Sequence, residues 1–173
     1  MFITEMGADL TIITVWSSIF AYAAGALTYA FSSVGHREKA TRFLWTVGCL
    51  MLLLHVAFAF HFFHNWSHTA AYVHTARETR HLFGWNWGGG LYINYALIIG
   101  WVGDVGWWWA QGLDSYGRRP RWLTVGWHAF LFFMIFNATI VFGSPVARWV
   151  GLPVCLALAV AWWKCFLGNK RSS

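Results

Sequence analysis

The chain has 173 residues, of which 58% are apolar, 20% aromatic and only 10% charged. A soluble domain carries about 25% charged residues, so this composition excludes an ordinary soluble protein and indicates a single membrane domain, residues 1–173. The net charge of +6 is divided among short segments between apolar runs. That distribution is typical of membrane topology, so we expect no nucleic-acid partner.

Five apolar stretches are long enough to cross a bilayer core, which takes about 20 helical residues. In chain order they are Leu10–Phe31, Phe43–Trp66, Leu91–Ala110, Trp122–Phe142 and Trp149–Phe166. The predicted fold class is therefore all-α and integral to the membrane, a bundle of five transmembrane helices. No basic residue precedes the first stretch, as a cleavable signal peptide would require, so we expect the first helix to remain on the protein. Pro153 is expected in the first turn of the fifth helix, where proline costs little.

The basic residues between these stretches predict the orientation. Alternate segments hold three, three and three Lys or Arg on one side and none, two and one on the other. The richer side comprises Arg37, Lys39, Arg42, Arg118, Arg119, Arg121, Lys164, Lys170 and Arg171, and the poorer side Arg77, Arg80 and Arg148. Nine against three is a positive-inside bias, which predicts an outer N-terminus and a cytoplasmic C-terminus. The segment between the second and third spans then lies on the extracytoplasmic side of the plasma (inner) membrane.

That outer segment is rich in histidine, with five of the chain's eight histidines between positions 61 and 81. Helical spacing of 100° per residue arranges them in two stripes. The first stripe, at the outer end of the second span, comprises His61, His64 and His68. The second, on an amphipathic helix expected over Ser67–Phe83, comprises His74, Glu78 and His81.

Two interpretations of the stripes are open. Facing each other, they could supply the three or four converging ligands that a metal ion requires, with Cu, Zn or non-haem Fe as the candidates for a nitrogen-rich site. The alternative is a hydrated polar cap, structural or pH-responsive, because histidine is tolerated at headgroup depth. No HExxH motif is present, so we prefer the polar cap.

His55 raises the question of a haem. It precedes His68 by 13 residues on what the pattern predicts to be one helix, a spacing that resembles the di-haem cytochrome b arrangement. That arrangement requires a matching pair on another span, and His128 is the only histidine available there. The expected depths of His55 and His128 differ by roughly 9 Å at 1.5 Å per residue, which disfavours a bis-histidine haem between them.

Asp104 is the only carboxylate inside a predicted span. An ionisable group at this depth is costly, so it is a candidate functional residue with a partner to be found. His128 lies at the same expected depth within roughly 2 Å, which predicts a buried Asp104–His128 pair. The pair could carry protons or hold two helices together, and we prefer the structural role.

The block HNWSHTAAYVHTARETRHLFGWNWGGGLYINY, residues 64–95, resembles one found in a group of small bacterial membrane proteins. The resemblance covers under a fifth of the chain. It implies a bacterial membrane protein, and it implies no activity because the group has none established. The three consecutive glycines within the block are expected to let the chain turn tightly back into the membrane.

These patterns predict a small integral membrane protein that serves as a structural or accessory subunit of a larger membrane complex. Its expected partners are the lipid bilayer and either other membrane subunits or further copies of itself. One alternative is a metal-binding redox or metal-handling protein that uses the histidine stripes. A second alternative is a small proton-coupled transporter that uses Asp104 and His128.

Overall fold

The fold, taken from a computed structural model, is described for residues 2–31 and 34–168, without the side chains of 2–4, 34–37, 113–115, 117 and 166–168. Helices account for nearly all of this part of the chain, and it contains no strand. Six are α-helices: α1 (Phe2–Phe31), α2 (Val34–Phe63), α3 (His68–Phe83), α4 (Gly90–Gly117), α5 (Arg121–Phe136) and α6 (Pro145–Gly168). A π-helical segment, Asn137–Val141, continues α5. The all-α prediction is confirmed.

Four segments are long and apolar enough to cross a membrane: Glu5–Phe31, Glu38–Phe63, Arg121–Val141 and Pro145–Cys165. They coincide with the first, second, fourth and fifth predicted spans. The third predicted span lies in α4, whose residues 90–111 are long enough to cross a bilayer before the non-helical backbone at Gly112, but α4 is not among the four. Asn94, Asp104 and several glycines dilute its apolar character. The structure therefore supports four spans by length and composition.

The second helix ends at Phe63, three residues before the predicted end of the second span. Asn65 and Trp66 follow with φ angles of 48° and 58°, in the left-handed region that a helix cannot use. The amide of Trp66 donates to the carbonyl of Phe60 at 3.0 Å, which binds one of the free carbonyls at the helix end. The chain thus changes direction within the histidine-rich region.

The third helix starts where the sequence supplies a cap. The Ser67 hydroxyl accepts a hydrogen bond from the amide of Ala70 at 3.2 Å, the usual role of serine before a first turn. At the other end Gly84, with φ 78°, donates its amide to the Arg80 carbonyl. The buried residues of α3 are small ones: Ala71, Ala76 and Thr79.

The consecutive glycines serve close packing rather than an unusual backbone conformation. Among the described glycines only Gly84 and Gly112 have positive φ angles. A Cβ added to Gly88 would lie 2.5 Å from the carbonyl oxygen of Tyr72, and one on Gly90 would lie 3.2 Å from Thr75 Cγ2. The prediction that these glycines adopt a backbone conformation closed to other residues was therefore wrong. They are needed because they let the chain approach α3 closely.

The α5–α6 hairpin packs through a similar contact. Thr139, in the π-helical segment, is almost completely buried and donates to the carbonyl of Ile135 at 2.8 Å. A Cβ on Gly151 would lie 2.5 Å from Thr139 Cβ, so only glycine fits there. The last helix begins at Pro145 rather than near Trp149, which places Pro153 inside α6 and not in its first turn.

Internal contacts divide the chain into two compact units. Unit 1 comprises Met1–Ser18 and Cys49–Gly103, and unit 2 comprises Ile19–Gly48 and Asp104–Ser173. The histidine-rich region belongs to unit 1, whereas Asp104 and His128 belong to unit 2. Each unit has a candidate site of its own.

Candidate functional sites

Asp104 is the centre of a buried polar cluster in unit 2. Its carboxylate forms an ion pair with the Arg119 guanidinium, and the two side chains are only 9% and 4% exposed, respectively. The other carboxylate oxygen accepts hydrogen bonds from Trp45 Nε1 at 2.9 Å and from the Tyr116 hydroxyl at 2.7 Å. These four residues are called the Asp104 centre below. Both carboxylate oxygens are bound by donors from the protein.

Gly112 explains how Arg119 reaches a carboxylate fifteen residues earlier. Its φ of 76° and ψ of 178° interrupt the helical backbone of α4, so the chain that follows can return towards Asp104. Arg119 also donates Nε to the Thr124 hydroxyl at 2.9 Å and lies over the ring of Tyr116, 4.1 Å from its centroid. The guanidinium is thereby held from several sides.

Tyr116 is a fixed hydrogen-bond donor in this centre. Its ring stacks on Trp108 with centroids 4.1 Å apart and planes within 2° of parallel. Burial, and secondarily the negative charge of Asp104, raise the pKa of Tyr116 far above its ordinary value. The hydroxyl therefore keeps its proton across the physiological pH range and donates a hydrogen bond to Asp104.

His128 has partners other than Asp104. The Tyr22 hydroxyl lies 3.1 Å from His128 Nδ1, and Tyr22 also hydrogen-bonds the Trp162 side chain. The imidazole packs among the rings of Tyr22, Trp45 and Trp162, with centroids 5.3–6.0 Å away. The predicted direct pair is thus replaced by two separate arrangements. Trp45 takes part in both, because it bonds Asp104 and packs edge-on against His128.

In unit 1 the end of α2 separates the residues of the first predicted stripe. His61 belongs to α2, His64 to the link that follows it, and His68 is the first residue of α3. The imidazole of His68 bonds the Tyr95 hydroxyl through Nδ1 at 3.0 Å, while His61 lies against Phe62 and Trp66. The stripe does not form, since its residues lie on three different elements.

The second predicted stripe lies on α3, where His74, Glu78 and His81 are all exposed. Of these three, His74 lies close to a histidine of the first stripe: the ring centroids of His64 and His74 are 5.3 Å apart. Among the described residues, no three His, Cys, Asp or Glu side chains converge in a way that could hold a metal ion. The predicted ligand set is represented here by a single histidine pair.

Partial burial, and secondarily the charge of His74, lower the pKa of His64 below its ordinary value. The pair borders an open cleft of about 480 Å³. The residues that line the cleft are Phe63, His64, Ser67, Thr69, Ala70, Val73, His74 and Arg77. It is called the His64 cleft below.

His55, the residue considered for haem ligation, donates Nδ1–H to the carbonyl of Thr11 at 2.9 Å within unit 1. His68 is on a different helix, so the 13-residue spacing does not correspond to two positions along one helix. The hydrogen bond joins α1 to α2 and gives His55 a structural role.

Sequence reasoning identified Asp104 but missed Arg119, Tyr116, Trp45 and Tyr22. The turn signal at Gln111–Gly112 and the adjacent arginines could have suggested a returning chain. Comparisons with known protein families, curated proteins and solved structures find no match to this chain. The geometry of the two sites is therefore the basis for a functional proposal.

Proposed function

We propose that this chain is an integral protein of the bacterial inner membrane that acts as a structural or accessory subunit of a larger membrane complex. The observation that carries the proposal is the Asp104 centre, in which the one carboxylate of the predicted spans is bound by three donors of the same protein. Such a buried network holds α2, α4 and the segment after α4 in one arrangement.

The same geometry argues against the proton-coupled transporter. A carrier carboxylate must release one partner to take up a proton or a cation. In the Asp104 centre both oxygens are engaged, and Arg119 is fixed by Thr124 and Tyr116 as well. His128, the expected second carrier residue, is held by Tyr22. The centre suits a role in holding helices together.

The proposed topology has five spans, with α4 as the third. Before the break at Gly112, residues 90–111 of α4 form a continuous helix that extends roughly 33 Å at 1.5 Å per residue, enough to cross a hydrocarbon core of about 30 Å. With α4 counted, the nine-to-three distribution of basic residues favours an outer N-terminus and a cytoplasmic C-terminus. The histidine-rich region then lies on the extracytoplasmic side.

The test combines native electrophoresis of solubilised membranes with proton-flux assays in proteoliposomes. We expect the wild-type chain to migrate in a complex larger than its own 19.8 kDa and to give no proton flux. Asp104→Asn should reduce both thermal stability and the abundance of that complex. Proton flux that Asp104→Asn abolishes without loss of stability would contradict the proposal and support the transporter.

Metal binding is the second candidate function, and the approach of His64 to His74 is the observation that favours it. With metal–nitrogen bonds of about 2.0–2.1 Å, two imidazoles on a tetrahedral ion have centroids roughly 5 Å apart, close to the separation found. Two imidazoles are an incomplete set, so Cu, Zn or Fe would need further ligands from solvent or a partner. Metal analysis of the purified protein and of His64→Gln tests this function directly.

A further inference from the structure

The His64 cleft has a cationic side and an apolar side. Arg77, which is exposed, provides a full positive charge, and the two imidazoles lie beside it. No hydrogen bond of either imidazole to another described side chain or backbone group occurs, so their nitrogens are available to a ligand. Thr69 adds a hydroxyl. Each of these side chains on the polar side thus offers a hydrogen-bond donor.

The positive charge of Arg77 favours an anion over a cation as the ligand of the cleft. No carboxylate is among its lining residues, and Glu78, the acidic residue of α3, lies outside it. A guanidinium beside the imidazoles repels a bare metal cation, and it matches the oxygens of a phosphate group through its planar set of donors. Each imidazole can add one N–H donor to the same oxygens.

The apolar side identifies the kind of anion. Phe63 and Val73 line the cleft and are 48% and 40% exposed, so they offer hydrocarbon surface beside the donors. Phe63 is also the last residue of the candidate span Glu38–Phe63. Lipid phosphates lie just beyond the hydrocarbon core of a bilayer, at the level where such a span ends.

We propose that the His64 cleft binds the headgroup of an anionic phospholipid. Arg77 contacts the phosphodiester, His64 and His74 donate to its oxygens, and Phe63 and Val73 pack against the start of an acyl chain. The inference rests on the proposed membrane placement of the chain. In an accessory subunit, a lipid held at this position would fix the link between α2 and α3 and fill the cleft.

Lipid binding to the full chain in detergent micelles tests the inference. The probes are phosphatidylglycerol, phosphatidylcholine and inorganic phosphate, followed by native mass spectrometry and by displacement of a fluorescent phosphatidylglycerol. We expect phosphatidylglycerol to bind more tightly than phosphatidylcholine, and Arg77→Gln to weaken it by about tenfold or more. Arg80→Gln is the matched control, since it removes the same charge one turn along α3 without altering the cleft. His64→Gln and His74→Gln should each weaken binding by about threefold.

Three outcomes would overturn the inference. Equal losses in Arg77→Gln and Arg80→Gln would show general charge attraction, and inorganic phosphate that binds as tightly as phosphatidylglycerol would show a site for the free ion. Stoichiometric metal lost in His64→Gln would show the metal site instead. Recovery of the chain in the membrane fraction of its cells separates this inference from the proposed function, because a soluble chain would contradict the membrane placement itself.

Discussion

The Asp104 centre and the His64 cleft differ in how their ionisable side chains are paired. In the centre a buried carboxylate meets a buried guanidinium, and each also bonds further groups. In the cleft two imidazoles and an arginine lie together without a carboxylate. Burial of an unpaired charge is costly, so the centre must be complete within the protein, whereas the accessible cleft can leave its donors for a ligand. The difference distinguishes a polar cluster whose groups bond one another from a cleft whose donors are open to a ligand.

The largest effect is expected from Arg119→Ala. This substitution leaves the Asp104 carboxylate buried without its counter-ion, and breaking a buried pair from one side costs about 3–5 kcal/mol. Arg118→Ala, at the exposed neighbouring position, should have almost no effect. Thermal and denaturant unfolding in detergent measure both. Equal stability of the two variants would remove the distinction drawn between the centre and an ordinary surface charge.

Gly88→Ala should have an intermediate effect, in unit 1. The added Cβ meets the Tyr72 carbonyl oxygen, a backbone atom that cannot rotate away, so we expect a loss of about 1–3 kcal/mol. The control is Gly126→Ala in α5, where nothing lies within 4 Å of the new Cβ. A helical alanine there should be neutral or stabilising by up to about 1 kcal/mol. Limited proteolysis between α3 and α4, together with unfolding, would reveal an unexpected tolerance of Gly88→Ala.

The smallest effect is the pH dependence of the cleft. Because the pKa of His64 is lower in the folded chain, the unfolded chain binds more protons, and the contribution of His64 to stability is lost as the pH falls below about 6.5. A proton NMR titration in phosphate-free, lipid-free buffer should give His64 a midpoint below that of an unstructured histidine. His74→Gln should raise this midpoint, since it removes a like charge. A midpoint unaffected by His74→Gln would show that the two imidazoles do not interact.

Helix positions could be predicted from the sequence because apolar stretches of about 20 residues have few alternatives. Four predicted spans correspond to helices of suitable length and composition. The end of α2 was predicted three residues too late, because Phe63 and Trp66 are both apolar and the hydropathy pattern therefore does not show where the helix ends. Ser67 gave the available signal, as serine is a common residue before the first turn of a helix.

The partner of Asp104 could not be found by comparing depths within the spans. Arg119 lies beyond the predicted third span, and it reaches Asp104 only because the backbone at Gly112 leaves the helical conformation. A glycine in the sequence indicates that such a turn is possible, but it does not indicate which later residue the turn brings next to Asp104. The contact between His64 and His74 was equally hard to predict, because it depends on the left-handed backbone at Asn65 and Trp66.

The π-helical segment has a consequence for the length of chain that this part of the molecule can accommodate. Its hydrogen bonds span five residues, as between the Phe142 amide and the Asn137 carbonyl at 2.9 Å, so it accommodates one residue more than an α-helical turn. Arg148 steadies it by donating to the carbonyl of Ile140 at 3.0 Å. Deletion of one residue between positions 137 and 141 should therefore disturb the helical backbone less than a deletion in the flanking helices.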